Sequence, residues 1–214
     1  MEGFYPLFFN LRGRNCLVLG GGKVALRKVK ILLSCRAHIF LISSHLLPEL
    51  VALKEKKSIT HLDDHYSKSY LQDISLVVSA TSDKDLNCQV AEDCFNLDIP
   101  VNTVDDPSLC SFFFPAVVDR GTLKLGISTC GKSPAFARYL REKLENIVEE
   151  EWGDFVDFLG QIRPWIIKEI ENPYLRSKFF NELASSEFLE IFRSQGVEEL
   201  NRKIEEMLPR FKNK

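Results

Sequence analysis

Short apolar runs alternating with helical patterns between Cys16 and Asp105 predict an α/β chain that opens with a parallel sheet covered by helices. After Asp106-Pro107 the pattern changes to a small α+β segment, and from Glu149 it is almost wholly helical and rich in aromatics. The expected divisions are 1–112, 113–148 and 149–214.

The predicted strands are Cys16–Leu19, His38–Ile42, Ser58–Leu62, Leu76–Ala80 and Pro100–Val104, each a short apolar run bounded by polar or turn residues. A helix is expected from about Lys23 to Ser34. Another, opened by Ser82 or Asp83, places Leu86, Val90, Ala91 and Cys94 on one face. Phe112-Phe113-Phe114 is expected to start an apolar strand that turns at Asp119-Arg120-Gly121-Thr122. Leu123, Leu125 and Ile127 then alternate with Lys124, Gly126 and Ser128, the period of a half-buried strand. Ser133-Pro134 has the form of an N-cap followed by proline at the first helical position. The helix beyond it carries Phe136, Leu140, Leu144, Ile147 and Val148 on one side. This hairpin and helix are too small to hide their apolar face, so dimerisation is expected. Pro164, Pro173 and Gln195-Gly196 punctuate the last segment into three or four helices.

With 214 residues and a hydrophobic content of 45%, the chain is long enough to bury a substantial core. A net charge of −2 argues against general nucleic-acid or membrane binding, so any anion site must be local. No apolar run reaches the roughly 20 residues of a membrane helix. The Met1-Glu2-Gly3-Phe4-Tyr5-Pro6 start has no signal-peptide pattern, which leads to the expectation of a cytoplasmic protein. Six cysteines lie scattered, with no Cys-x-x-Cys pair, and Cys16, Cys88 and Cys94 are expected as small core residues.

Gly20-x-Gly22-x-x-Ala25 follows the first strand directly and opens the first helix, the context of a dinucleotide-binding Rossmann unit. The first glycine permits a tight turn, the second lets the backbone approach a pyrophosphate, and Ala25 allows close helix–strand packing. Phosphate would lie on the free N–H groups of the helix start, so Gly20, Gly21, Gly22, Lys23, Val24 and Ala25 form the expected cofactor loop. The acidic residue that usually holds the ribose is missing, because the second strand ends Leu41-Ile42-Ser43-Ser44-His45. Ser43 and Ser44 offer hydroxyls instead, and no cation stands there for a 2′-phosphate, so NAD is favoured over NADP.

Asp105 lies at the carboxyl end of the fifth strand, where ligands of open α/β sheets bind. It has two readings there, a proton acceptor or a loop carboxylate capping the turn before Pro107. His61-Leu62-Asp63-Asp64-His65 has metal-ligand residue types but no closed ligand set, and no metal site is expected. Arg120, Lys124, Lys132, Arg138, Arg141 and Lys143 concentrate positive charge in a slightly acidic chain. Singly they suit a solvated face; together they suit a polycarboxylate held at a dimer cleft.

Several stretches resemble the precorrin-2 dehydrogenase / sirohydrochlorin ferrochelatase family of sirohaem synthesis. They are Tyr5–Leu11, Cys16–Lys28, Ala80–Asp83, Val101–Asp105, Ser111–Arg120, Ile127–Pro134 and Leu140–Glu145, in order over roughly the first 150 residues. The block from Ser133-Pro134 to Glu145 is the most specific, while the helical tail matches only in general character. The resemblance implies NAD-dependent oxidation of precorrin-2 to sirohydrochlorin, with ferrous-iron insertion (a lyase activity) in some members. It also implies an intertwined homodimer built from a Rossmann domain, a small dimerisation domain and a helical domain. The family's essential aspartate falls on Asp105, a general base. Thr81 joins the expected cofactor-binding set. Ser128 and Thr129 match a hydroxyl pair bordering the substrate pocket, and Arg120, Lys132 and Arg138 are the expected partners of the tetrapyrrole carboxylates. Three departures stand out: Cys130 in place of glycine, Arg36 in place of the glycine that ends the first helix, and Ser43 without a ribose carboxylate. A non-catalytic NAD-sensing dimer is the alternative, and it has no need of Asp105. An unrelated dehydrogenase fits poorly, because His38, His45, His61 and His65 all precede the fourth strand.

Overall fold

A computed structural model describes residues 3–212. The chain packs as two units, one holding the chain up to Phe114 together with Cys130–Lys132, the other Pro115–Thr129 and the chain from Ser133 onward.

In the first unit five parallel strands form one sheet: β1 (Asn15–Leu19), β2 (His38–Ile42), β3 (Thr60–Asp63), β4 (Leu76–Ser79) and β5 (Val101–Thr103). Their order is β3-β2-β1-β4-β5, so the direction of winding reverses between β1 and β4. Helices α1 (Lys23–Ser34), α2 (Pro48–Glu55) and α3 (Lys84–Asn96) make the crossovers. Alternation along β1 explains the layering. Cys16 and Val18 join Ala25, Val29 and Leu32 of α1 and Leu50 of α2 in one core, whereas Leu17 and Leu19 join Val90 and Cys94 of α3 in the other. Helix α1 starts and stops where the sequence predicts. It ends on Arg36 with φ +58°, the left-handed conformation that glycine normally supplies, at a cost of about 1 kcal/mol.

Three expectations need correction here. Phe112–Phe114 is not a strand: Pro115 has no N–H for a ladder, and Phe112 and Phe114 turn onto the sheet core, their rings 5.2 Å apart. The third strand begins at Thr60 rather than Ser58, after a left-handed turn at Lys57 (φ +57°). Cys16 and Cys94 are buried, but Cys88 is exposed on the outer face of α3.

The second unit opens with a hairpin, β6 (Ala116–Arg120) paired antiparallel with β7 (Leu123–Ile127), turning at Gly121 with φ +68°. Ser133 caps α4 (Pro134–Glu145), its Oγ accepting the Phe136 N–H. Helices α5 (Glu151–Glu169), α6 (Pro173–Leu183), α7 (Ser186–Met207) and α8 (Pro209–Lys212) follow around a core of Phe155, Phe158, Ile166, Phe179, Leu200 and Ile204. Gly196, at φ +82°, breaks α7 where the sequence marks it. Pro164 does not end its helix; one ladder bond is lost, and buried Phe155, Phe158 and Ile166 carry α5 across it. The hairpin's apolar face finds partners in the chain itself. Val118 is fully buried, α4 and α5 pack on β6, and Gly153 of α5 lies so close that a Cβ would stand 2.0 Å from the Arg120 carbonyl oxygen. Phe136, Tyr139 and Ile147 remain exposed. Among the described residues no helix is long and apolar enough to cross a membrane.

Candidate functional site

The turn between β1 and α1 lies at the point where the strand order reverses, outside the carboxyl ends of β1 and β4. Its three glycines have different physical reasons. Gly20 has φ +109°, and a Cβ on it would meet the Ala80 carbonyl oxygen at 2.4 Å. Gly21 stands against the loop after β2, where a Cβ would fall 1.8 Å from the His45 carbonyl oxygen. Gly22 is the helix N-cap with ordinary extended backbone, and nothing lies within 4 Å of its would-be Cβ. The chain thus fills the space around Gly20 and Gly21 and leaves Gly22 open.

Helix α1 has no side-chain cap, and Leu26 N–H to Gly22 O is its first bond. The amides of Lys23, Val24 and Ala25 therefore have no helical acceptor, and no acidic side chain occupies the first turn. Helices α3, α4 and α6 are capped by Asp83, Ser133 and Asn172, and α2, α5 and α7, which also lack a side-chain cap, carry Glu49, Glu151 and Glu187 in their first turns. An uncapped helix start with open space beside its N-cap fits a dinucleotide pyrophosphate. Lys23 is exposed and Ala25 fully buried against the sheet.

The hydroxyls expected near the cofactor are partly engaged. Ser43 Oγ donates to the His45 carbonyl at 2.8 Å, which shapes the loop that abuts Gly21. Ser44 Oγ lies 3.0 Å from His45 Nδ1 on an exposed turn. Thr81 Oγ1 donates toward the Asp83 carbonyl and Asn87 Oδ1, within a buried cluster that includes Ser79. The His61–His65 stretch serves the same region structurally. His61 Nε2 lies 2.9 Å from the Ser43 carbonyl, and Asp63 accepts from Tyr70 and from the Asp64 and His65 amides, which holds its carboxyl below the usual range. No group of metal-ligating side chains is found among the described residues.

Asp105 follows β5 in left-handed backbone, φ +64°, with an exposed side chain that makes no hydrogen bond among the described residues. Its neighbours are all occupied. Asn102 Nδ2 donates to the Phe112 carbonyl at 3.0 Å, and Thr103 Oγ1 to the Leu109 carbonyl at 3.3 Å. Asp106 is the turn cap, its Oδ1 accepting from Ser108 N at 3.1 Å and Ser108 Oγ at 2.5 Å. The capping alternative thus belongs to Asp106 and leaves the carboxylate of Asp105 available.

In the second unit Ser128 is exposed, and Thr129 Oγ1 accepts the Ser133 amide at 2.9 Å. Arg138 is exposed on α4 with no ion pair among the described residues. Arg120 departs from expectation. Its Nε donates to the Val148 carbonyl at 2.8 Å, NH2 to Glu145 at 2.9 Å and NH1 to its neighbour Asp119 at 3.1 Å, so the guanidinium closes the C-terminal end of α4 instead of facing a ligand. Lys132, which belongs to the first unit, is exposed and also without an ion pair among the described residues. Cys130 and Gly131 before it both have positive φ, +50° and +80°.

Two residues near the sheet escape the sequence reading. Lys28 is 9% exposed, its Nζ 3.6 Å above the Phe114 ring, and burial, aided by the charge of Arg27, lowers it to about 8. Its position in the stripe Ala25-Lys28-Val29-Leu32 was the available signal. Cys110 is the other, a buried thiol packed into the Asp105 turn.

Comparison with known proteins agrees with this geometry. The family described as "Putative NAD(P)-binding" matches residues 7–116, more than half of the chain. That described as "Sirohaem biosynthesis protein central" matches residues 120–147. The chain belongs to the putative NAD(P)-binding family. Family relatives include the siroheme synthase of Thioalkalivibrio sulfidiphilus, 39% identical over 89% of this chain and 39% of that protein. The siroheme synthase of Baumannia cicadellinicola is 36% identical over 96% of this chain and 44% of its own length. The chain thus spans about two fifths of the length of these curated relatives. The solved structure of SirC, precorrin-2 dehydrogenase, is 25% identical with a TM-score of 0.75, covering 95% of this chain and 100% of that one.

Proposed function

We propose that this chain oxidises precorrin-2 to sirohydrochlorin with NAD, and that Asp105 is the base. The observation that carries the reading is the state of Asp105. It is an exposed carboxylate held in left-handed backbone beyond the sheet's carboxyl edge, without a hydrogen-bond partner among the described residues, while Asn102, Thr103 and Asp106 are all engaged. Likeness to SirC over nearly the whole chain supports it.

The oxidation removes two hydrogens from the tetrapyrrole, one as hydride and one as a proton. NAD, when bound, supplies the hydride acceptor. Lys23, Val24 and Ala25 would hold its pyrophosphate on their amides, with Gly20, Gly21 and Gly22 admitting the backbone turn, and Ser43, Ser44 and Thr81 would contribute hydroxyls from the neighbouring loops. The Asp105 carboxylate takes the proton. Lys132 and Arg138 are the cations for substrate carboxylates, and Ser128 and Thr129 add hydroxyls, while Arg120 contributes by fixing the end of α4. The segments 1–112, 113–148 and 149–214 act as cofactor, dimerisation and helical parts, and Phe136, Tyr139 and Ile147 on or beside α4 are the apolar surface of a homodimer. Insertion of ferrous iron, as substrate, into sirohydrochlorin is the second reading. It is favoured by the same available carboxylate, since metallation requires removal of pyrrole protons.

The test is to incubate the protein with precorrin-2 and NAD and follow sirohydrochlorin absorbance, then to add ferrous or cobaltous ion. Asp105→Ala abolishes turnover while NAD still binds. Absence of NAD-dependent oxidation, or full turnover by Asp105→Ala, removes the reading.

A further inference from the structure

The turn that carries Asp105 raises a physical question. Left-handed backbone is disfavoured for a residue with a Cβ, and among the described residues the Asp105 side chain makes no bond that would hold it there. Backbone bonds anchor each flank separately, Val104 N–H to the Ser79 carbonyl at 2.9 Å before it and Leu109 N–H to the Asp106 carbonyl at 3.3 Å after it, and one further group is needed to tie the two flanks together.

Cys110 does so. Its sulfur lies 3.2 Å from the Thr103 carbonyl oxygen, before Asp105, and 3.2 Å from the Asp106 carbonyl oxygen, after it. The single S–H proton serves one carbonyl at a time, and the sulfur also accepts the Thr103 N–H at 3.3 Å and Asn102 Nδ2 at 3.5 Å. No other side chain among the described residues bonds the backbone on both sides of Asp105. Thr103 Oγ1 reaches forward to Leu109, and Asp106 is spent on Ser108. From these contacts we infer that Cys110 is a positioning residue, a thiol clasp that holds the Asp105 turn in its reactive conformation. Burial pushes the Cys110 thiol up, so it keeps the proton it donates throughout the neutral range. Cysteine suits the place because the long reach of sulfur lets one small atom touch amide and carbonyl groups from both flanks.

The inference rests on Asp105 being the base, and its test separates the two. Cys110→Val fills similar volume without a donor or acceptor. A displacement of about 1 Å at a reacting group costs on the order of 100-fold in rate, so kcat falls 10- to 100-fold, an order-of-magnitude expectation. NAD affinity and the KM for precorrin-2 stay within about twofold, because neither site loses a contact. Hydrogen exchange over residues 103–106 speeds up, most directly at the Thr103 amide that the sulfur accepts. Cys110→Ser, which restores a donor and an acceptor, recovers most of the loss. If the valine variant does not fold, Cys110→Ala, which leaves a void rather than bulk, carries the same expectations. A valine or alanine variant that keeps kcat within twofold, or leaves exchange at 103–106 unchanged, overturns the clasp. If Asp105→Ala turns over normally, the base assignment falls instead, while the exchange measurement still decides whether the thiol holds the turn.

Discussion

Alanine at Gly21 and at Gly22 separates two causes that the glycine pattern merges. At Gly21 the new Cβ would stand 1.8 Å from the His45 carbonyl oxygen and 2.8 Å from Ser43 Oγ. Carbon and oxygen need about 3 Å or more, so the loop after β2 must retreat by on the order of 1 Å. That displacement strains the bond from Leu47 N–H to Gly21 O (3.0 Å) and the one from Ser43 Oγ to His45 O (2.8 Å). Overpacking with two weakened hydrogen bonds costs about 3 kcal/mol, which lowers Tm by roughly 6–12 °C in a chain of this size. At Gly22 the backbone is ordinary and the space is open, so stability changes by no more than about 0.5 kcal/mol. The methyl group there would occupy the approach of the pyrophosphate, and NAD affinity falls about tenfold or more, roughly 1.4 kcal/mol. Thermal melts without nucleotide and calorimetric NAD titrations on both variants make the test. A Gly21→Ala protein that melts with the wild type, or a Gly22→Ala protein that binds NAD normally, would refute the division.

Two further predictions concern charges that the fold has enclosed. Lys28 titrates near 8 in the folded protein against 10.5 when exposed, so between those values the unfolded chain binds more protons. Its contribution to stability is unfavourable below pH 8 and is relieved as pH rises, by up to about 3 kcal/mol. In urea melts from pH 7 to 10, the stability of the wild type relative to Lys28→Met therefore increases with pH; a flat difference would show that the ammonium is not desolvated. Arg120→Ala removes three charged bonds to carbonyls and costs about 2–3 kcal/mol, while in the proposed reaction the KM for precorrin-2 stays within about twofold. A large rise in KM at unchanged stability would return Arg120 to the substrate.

Much of this molecule was legible in the sequence, because the information was local. Short apolar runs alternating with helical patterns located the five parallel strands and both ends of α1, and Ser133-Pro134 marked the start of α4 through cap chemistry that needs no distant partner. The glycine turn was recognisable because a strand, a tight turn and a helix are consecutive. Asp105 was named from its place at a strand's end, though not its conformation or its freedom from the cap that Asp106 provides. What tertiary structure decided were the properties that depend on contacts distant in sequence. Gly21, an unspecified position in the motif, is required because a loop more than 20 residues away presses against it. Arg120 looked like a ligand for anions until Glu145 and Val148 claimed it. Lys28 and Cys110 acquired their roles through burial, which the apolar stripe of α1 signals for Lys28 but no pattern of residue types announces for a lone thiol. Local periodicity determines where elements form. Which polar groups remain available for chemistry is settled when the elements pack, since packing determines which donors and acceptors find each other and which are left to meet a ligand.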